Sequence, residues 1–179
     1  MGDGVLSRVW LMRASFVLLS LLIIFCHLLP LDTVPRRWAP PDLLMAFTFA
    51  WALRRPDYVP VIVIAAVMLT ADLLFQRPPG LMAALVLLAS EYLRSRFGGL
   101  RDASFVGEWV AVCLMIAGVA VANRLVLTVL VVDVAPPVLV VIQAVMTMVA
   151  YPVVVLITRS VMGVRKPTPS DTDAFGSRV

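Results

Sequence analysis

The chain has 179 residues, 61% of them hydrophobic and only 15% charged, with a mean hydropathy of +0.99. A soluble domain of this length could not hide so much apolar surface, so the composition excludes a water-soluble globule and implies an integral membrane protein. The net charge of +4 and pI near 9.7 are expected of a basic membrane face attracted to anionic lipid, not of a nucleic-acid binder.

Six apolar segments can be marked off, at residues 14–29, 41–53, 58–75, 81–93, 105–132 and 137–158. They are continuously apolar, without the alternation of barrel strands, which implies an all-α, six-helix transmembrane bundle over residues 1–162. A helix needs about 20 residues to cross about 30 Å of hydrocarbon. The third, fifth and sixth segments are long enough. The second and fourth are short and need shelter from neighbours or a thinned bilayer.

Arg8 and Arg13 precede the first segment as they would in a signal peptide, but no small-x-small cleavage site follows and Cys26 is preceded by the bulky Phe25. The segment is expected to be retained as a span. Cys26 and Cys113 lie inside apolar runs and are expected to pack there, without a disulfide or metal. His27 reads as an interfacial side chain. The loop that follows carries Arg36, Arg37 and Trp38, suited to an interfacial belt and taken as a candidate partner contact. Pro40 and Pro41 fit the first turn of a helix, so the second helix is expected to begin there.

Two turns rich in arginine and proline frame the third segment: Arg54-Arg55-Pro56-Asp57 before it and Arg77-Pro78-Pro79-Gly80 after it. Asp72 lies roughly 21 Å along that segment and Arg124 roughly 28 Å along the fifth, so the two are expected to pair. Asn123 beside Arg124 breaks a 28-residue apolar stretch that would be roughly 42 Å long as one helix. The fifth helix is therefore expected to end or bend at this pair. Glu91 and Arg94 share a helix face and should form an ion pair, and Glu108 suits the positive end of a helix dipole.

Ala46-x-x-x-Ala50 and Gly118-x-x-x-Ala122 would permit close helix contact. Gln143, Thr147 and Tyr151 recur every four residues on the sixth segment and form one polar stripe for interhelical hydrogen bonds. Residues 163–179 are polar, proline-interrupted and without periodicity, as in a disordered tail. No residue pattern indicates a catalytic site, a cofactor or a metal centre.

Basic residues set the expected orientation. With the N-terminus inside, eleven Lys and Arg fall on inner segments and three, Arg36, Arg37 and Arg77, on outer ones. Both termini are therefore expected in the cytoplasm.

Pro41-Asp42-Leu43-Leu44, Ala50 to Asp57, Ala71-Asp72-Leu73-Leu74 and Arg77-Pro78-Pro79-Gly80 together resemble the MreD family of bacterial rod-shape-determining proteins, over roughly residues 40–96. The resemblance implies an inner-membrane subunit of the cell-elongation machinery, working with MreC, MreB, RodA and its class B penicillin-binding transpeptidase. It also implies a bundle like the substrate-binding subunits of energy-coupling-factor transporters, and it carries over no catalytic residue. The leading expectation is a non-enzymatic scaffold for peptidoglycan synthesis and cell shape. A small-molecule or lipid carrier is the alternative, although Ala14 followed by Leu18 and Ser20 by Ile24 lack the small-residue docking face of such carriers. An enzyme on lipid-linked precursors would have only Glu91 and the nearby arginines to work with.

Overall fold

The computed structural model describes residues 3–29, 39–97, 105–131 and 136–162. They form helices α1 (Asp3–Leu28), α2 (Leu43–Arg54), α3 (Val61–Leu74), α4 (Leu81–Phe97), α5 (Phe105–Val129) and α6 (Pro137–Met162), with a 3-10 turn at Pro56–Tyr58. No strand occurs among the described residues. The expected tail at 163–179 and the candidate contact Arg36, Arg37 and Trp38 lie outside the described residues.

Among the described residues three helices are long and apolar enough to cross a membrane: Arg8–Leu28, Phe105–Val129 and Pro137–Ser160. The third segment departs from expectation. Pro56 and Pro60 lack the N–H that a continuing helix would use, so a 3-10 turn intervenes and α3 opens after Pro60 with only 14 residues. The first segment, in contrast, reaches back to Asp3.

The short helix α2 is the hub. Every residue from Leu44 to Arg54 is buried, and α2 packs against α1, α4 and α6, while α3 lies on α4, α4 on α5 and α5 on α6. Ala46 and Ala50 are fully buried, so the expected small-residue spacing does bring helices close. Phe16 of α1 stacks on Phe47 of α2, with ring centroids 5.2 Å apart, and Phe47 meets Trp51 at 5.3 Å. Leucines and valines such as Leu18, Leu114, Val141 and Val149 stay exposed on the outer helices, as a lipid-facing surface requires.

The start of α2 differs slightly from expectation. Pro40 and Pro41 precede the helix, and Asp42 is its N-cap, with Oδ1 accepting the Met45 N–H at 3.0 Å. Nor does α5 end at Asn123-Arg124; it runs through to Val129. Both side chains line a cavity shared with Asp42, Arg77, Gln143 and Thr147, so they meet other polar groups while the helix continues.

The corner between α3 and α4 explains the Arg-Pro-Pro-Gly motif. Helix α3 closes with the Arg77 N–H on the Asp72 carbonyl (3.0 Å) and the Gln76 N–H on the Leu73 carbonyl (3.3 Å), while Gln76 takes a φ of 54°. These are the bonds of a Schellman end. The Leu81 N–H then returns to the Pro78 carbonyl at 3.3 Å around Pro79 and Gly80. With a φ of 86°, Gly80 occupies the left-handed position that a type II turn reserves for glycine.

Gly80 precedes α4 but has no side chain with which to cap it. Asp72 supplies the missing acceptor from the neighbouring helix: its Oδ2 takes the N–H groups of Gly80 and Ala83, each at 3.1 Å. The expected pairing with Arg124 is thus replaced by a cap, because two backbone donors at a positive helix end lie closer to the carboxylate. Asp72→Ala should lower the thermal stability of the purified protein by about 1–2 kcal/mol, and Asp72→Asn, which keeps an acceptor oxygen, by less. Adding Arg124→Gln to Asp72→Ala should recover nothing, and recovery would restore the ion-pair explanation.

Candidate functional site

Two polar clusters lie at opposite ends of the bundle. At one end Arg54, the last residue of α2, is buried, and its Nη2 donates to Glu108 Oε1 of α5 at 3.1 Å. The Tyr151 hydroxyl of α6 donates to the same oxygen at 2.8 Å. Glu108 is 2% exposed and Tyr151 fully buried. A charge in hydrocarbon costs roughly 2.5–3.5 kcal/mol on insertion scales, so an opposite charge and a hydroxyl beside it are what allow Glu108 to sit there.

The next residue of α5 supports the same junction. Pro152 stands inside α6 and has no N–H for the Met148 carbonyl four residues earlier. The Trp109 indole N–H donates to that carbonyl at 2.9 Å, so Glu108 and Trp109 together grip the Tyr151-Pro152 step. Chemically this arrangement can hold α2, α5 and α6 at fixed spacing.

Around this junction the arginines secure the Arg54–Asp57 turn. Arg13 of α1 donates through Nη2 to the Asp57 carbonyl at 3.1 Å. Arg94 of α4 donates to the Val59 carbonyl and pairs with Glu91 at 2.7 Å, as expected from their spacing. The Arg55 guanidinium lies over the Tyr58 ring, 5.7 Å from its centroid.

The opposite end holds a crevice of two adjoining cavities, of about 330 Å³ and 160 Å³, both lined by Asp42, Arg77 and Gln143. The larger extends along Leu22, Ile23, Cys26 and His27 of α1, and the smaller along Asn123 and Arg124 of α5. Arg77 Nη1 is 3.9 Å from Asp42 Oδ2, and its guanidinium lies over Phe75, on which His27 also packs. The Asp42 N–H donates to Thr147 Oγ1 at 2.8 Å, and that hydroxyl donates to the Gln143 carbonyl at 2.7 Å. The polar stripe on α6 is thus used for interhelical bonding through Thr147 and Tyr151, while Gln143 faces the crevice.

A third feature is an open apolar trough between α4 and α5, of about 450 Å³, lined by Leu88, Tyr92, Met115, Gly118 and Ala122 among others. A Cβ added at Gly118 would meet nothing within 4 Å, so here the small-residue spacing opens a groove instead of joining two helices. Cys26 and Cys113 are both free. Among the described residues no group of three His, Cys, Asp or Glu could hold a metal ion.

The junction of Arg54, Glu108 and Tyr151 was not anticipated as a unit. Its signal in the sequence is an arginine that ends one apolar segment and a glutamate that opens another at the same end of the bundle. Compared with family models, curated proteins and solved structures, the chain matches none.

Because Arg54 and Glu108 compensate each other in an apolar setting, Arg54→Met should destabilise the protein by about 3–5 kcal/mol by leaving a buried carboxylate behind. Arg54→Met combined with Glu108→Leu should recover much of that loss, read as melting temperature and membrane abundance. Additive losses in the double variant would show that the pair is not coupled.

Proposed function

We propose that this chain is a non-enzymatic scaffold subunit of the bacterial cell-elongation complex. In this reading it is a six-span protein of the inner membrane that helps couple MreB and MreC to peptidoglycan synthesis by RodA and its class B penicillin-binding partner, and so maintains cell shape. One observation carries the proposal: the residues on which the MreD resemblance rests have architectural roles. Asp42 caps α2, Arg54 joins α2 to α5, Asp72 caps α4, and Gly80 turns the corner between α3 and α4. A resemblance concentrated at such positions supports a shared bundle built to present helix faces and short loops.

The six-span reading is supported by the enclosure of α2, which at 12 residues is roughly 18 Å long and too short to cross hydrocarbon unaided. The orientation is supported by basic side chains gathered at one end, where Arg13, Arg54, Arg55 and Arg94 surround the turn between α2 and α3. Such an end belongs on the cytoplasmic side. A reporter fused after Val179 should accordingly read cytoplasm and one inserted at Thr33 periplasm, and a periplasmic C-terminus would overturn the six-span arrangement.

The partner assignment has its own test. Tagged protein drawn from native membranes should recover MreC, and replacing Arg36 and Arg37 together with Ala should weaken that recovery without lowering the protein's abundance. Undiminished recovery would remove these arginines from the contact, and failure of the unaltered protein to recover any elongation partner would overturn the scaffold reading.

A further inference from the structure

The two cavities at the Arg77 end differ in character. The smaller brings Arg124 and Asn123 of α5 toward Arg77 and Gln143, whereas the larger is walled mainly by apolar groups, among them Leu22, Ile23, Leu44 and Phe75. They meet at Asp42, Arg77 and Gln143. A compact space carrying several polar groups, beside a larger and more apolar one, is complementary to an amphiphile, a small head joined to a hydrocarbon body.

The head is selected by the donors. Each guanidinium carries five N–H groups in a planar fork, so a bond to one protein group leaves donors for a ligand, and that fork matches phosphate oxygens two at a time. Arg77 is well placed for this: its contact with Asp42 is long, at 3.9 Å, and its side chain is 32% exposed. Asp42 keeps its negative charge, with Oδ1 held by the Met45 N–H, and the two guanidinium groups that line the smaller cavity with it outnumber that charge. The amides of Asn123 and Gln143 add neutral donors, and the apolar walls strengthen attraction between guanidinium and anion by lowering the local dielectric.

We propose that this crevice binds a lipid phosphate, with the head between Arg77 and Arg124 and an acyl or prenyl chain along α1 in the larger cavity. Free phosphate shares the head chemistry, but would leave the apolar cavity unused. The site is independent of the scaffold reading and needs no partner protein.

Binding is tested on the full chain in detergent by native mass spectrometry with three probes: phosphatidic acid, diacylglycerol and inorganic phosphate. One equivalent of phosphatidic acid should be retained at least tenfold more tightly than either of the others. Equal retention of diacylglycerol would remove the role of the arginines, and equal binding of inorganic phosphate would remove the role of the apolar cavity; either result overturns the proposal. Arg77→Gln and Arg124→Gln should each weaken phosphatidic acid at least tenfold in protein that remains folded, and folded variants that bind as tightly as the parent would also overturn it. Should either variant fail to fold, the parent protein still decides: phosphatidic acid with a photoreactive chain should label residues 22–27 of α1, and label spread evenly over the outer faces of α5 and α6 would refute the site.

Discussion

Polar groups in an apolar bundle must find partners inside the chain, because no water is present to take the place of a missing hydrogen bond, and each unsatisfied backbone group there costs several kcal/mol. Much of the architecture follows from this. Helix ends are the difficult places, since the first N–H groups and last carbonyls have no partner within the helix. Asp42 meets the need at the start of α2, and Asp72 reaches across a corner to do so at the start of α4. Where Pro152 leaves a carbonyl open in the middle of α6, an indole from α5 closes it.

The same constraint governs the charged side chains. Arg54 and Glu108 stand on different helices but at the same end of the bundle, and each makes the other tolerable. Adding the Tyr151 hydroxyl brings in α6, so one carboxylate oxygen organises three helices. The consequence is positional precision at the Arg54 end of α2, a helix whose own length could not anchor it. Because that helix is buried on all sides, its location fixes those of α1, α4 and α6 around it.

Among the described residues the opposite end is less closed. Arg77, Arg124 and Asn123 line cavities where the Arg54 end has tight pairs, and Asp42 divides its two oxygens between a helix cap and a long approach from Arg77. Among the described residues the tight pairs thus lie at one end and the cavities at the other. The outer faces of α5 and α6, lined with valine and leucine, are suited to lipid or to other helices.

By itself the sequence determined what depends on composition and local chemistry. Its apolar runs dictated helices, its prolines and glycine placed the corners, and the three-residue spacing of Glu91 and Arg94 brought them together, because neighbours on one helix turn meet whatever surrounds them. Helix length was less legible: residues 58–75 are mostly apolar, yet Pro60 delays α3, a local effect that hydropathy alone hides. Only the tertiary structure decided which polar groups meet across helices. Asp72 and Arg124 both fall toward the same end of their apolar segments, but position along two helices does not set the angle at which side chains leave them, and a pair of backbone donors took the carboxylate. Arg54, Glu108 and Tyr151 lie 54 and 43 residues apart, so their meeting depends on how α2, α5 and α6 pack, a long-range choice that no local pattern encodes.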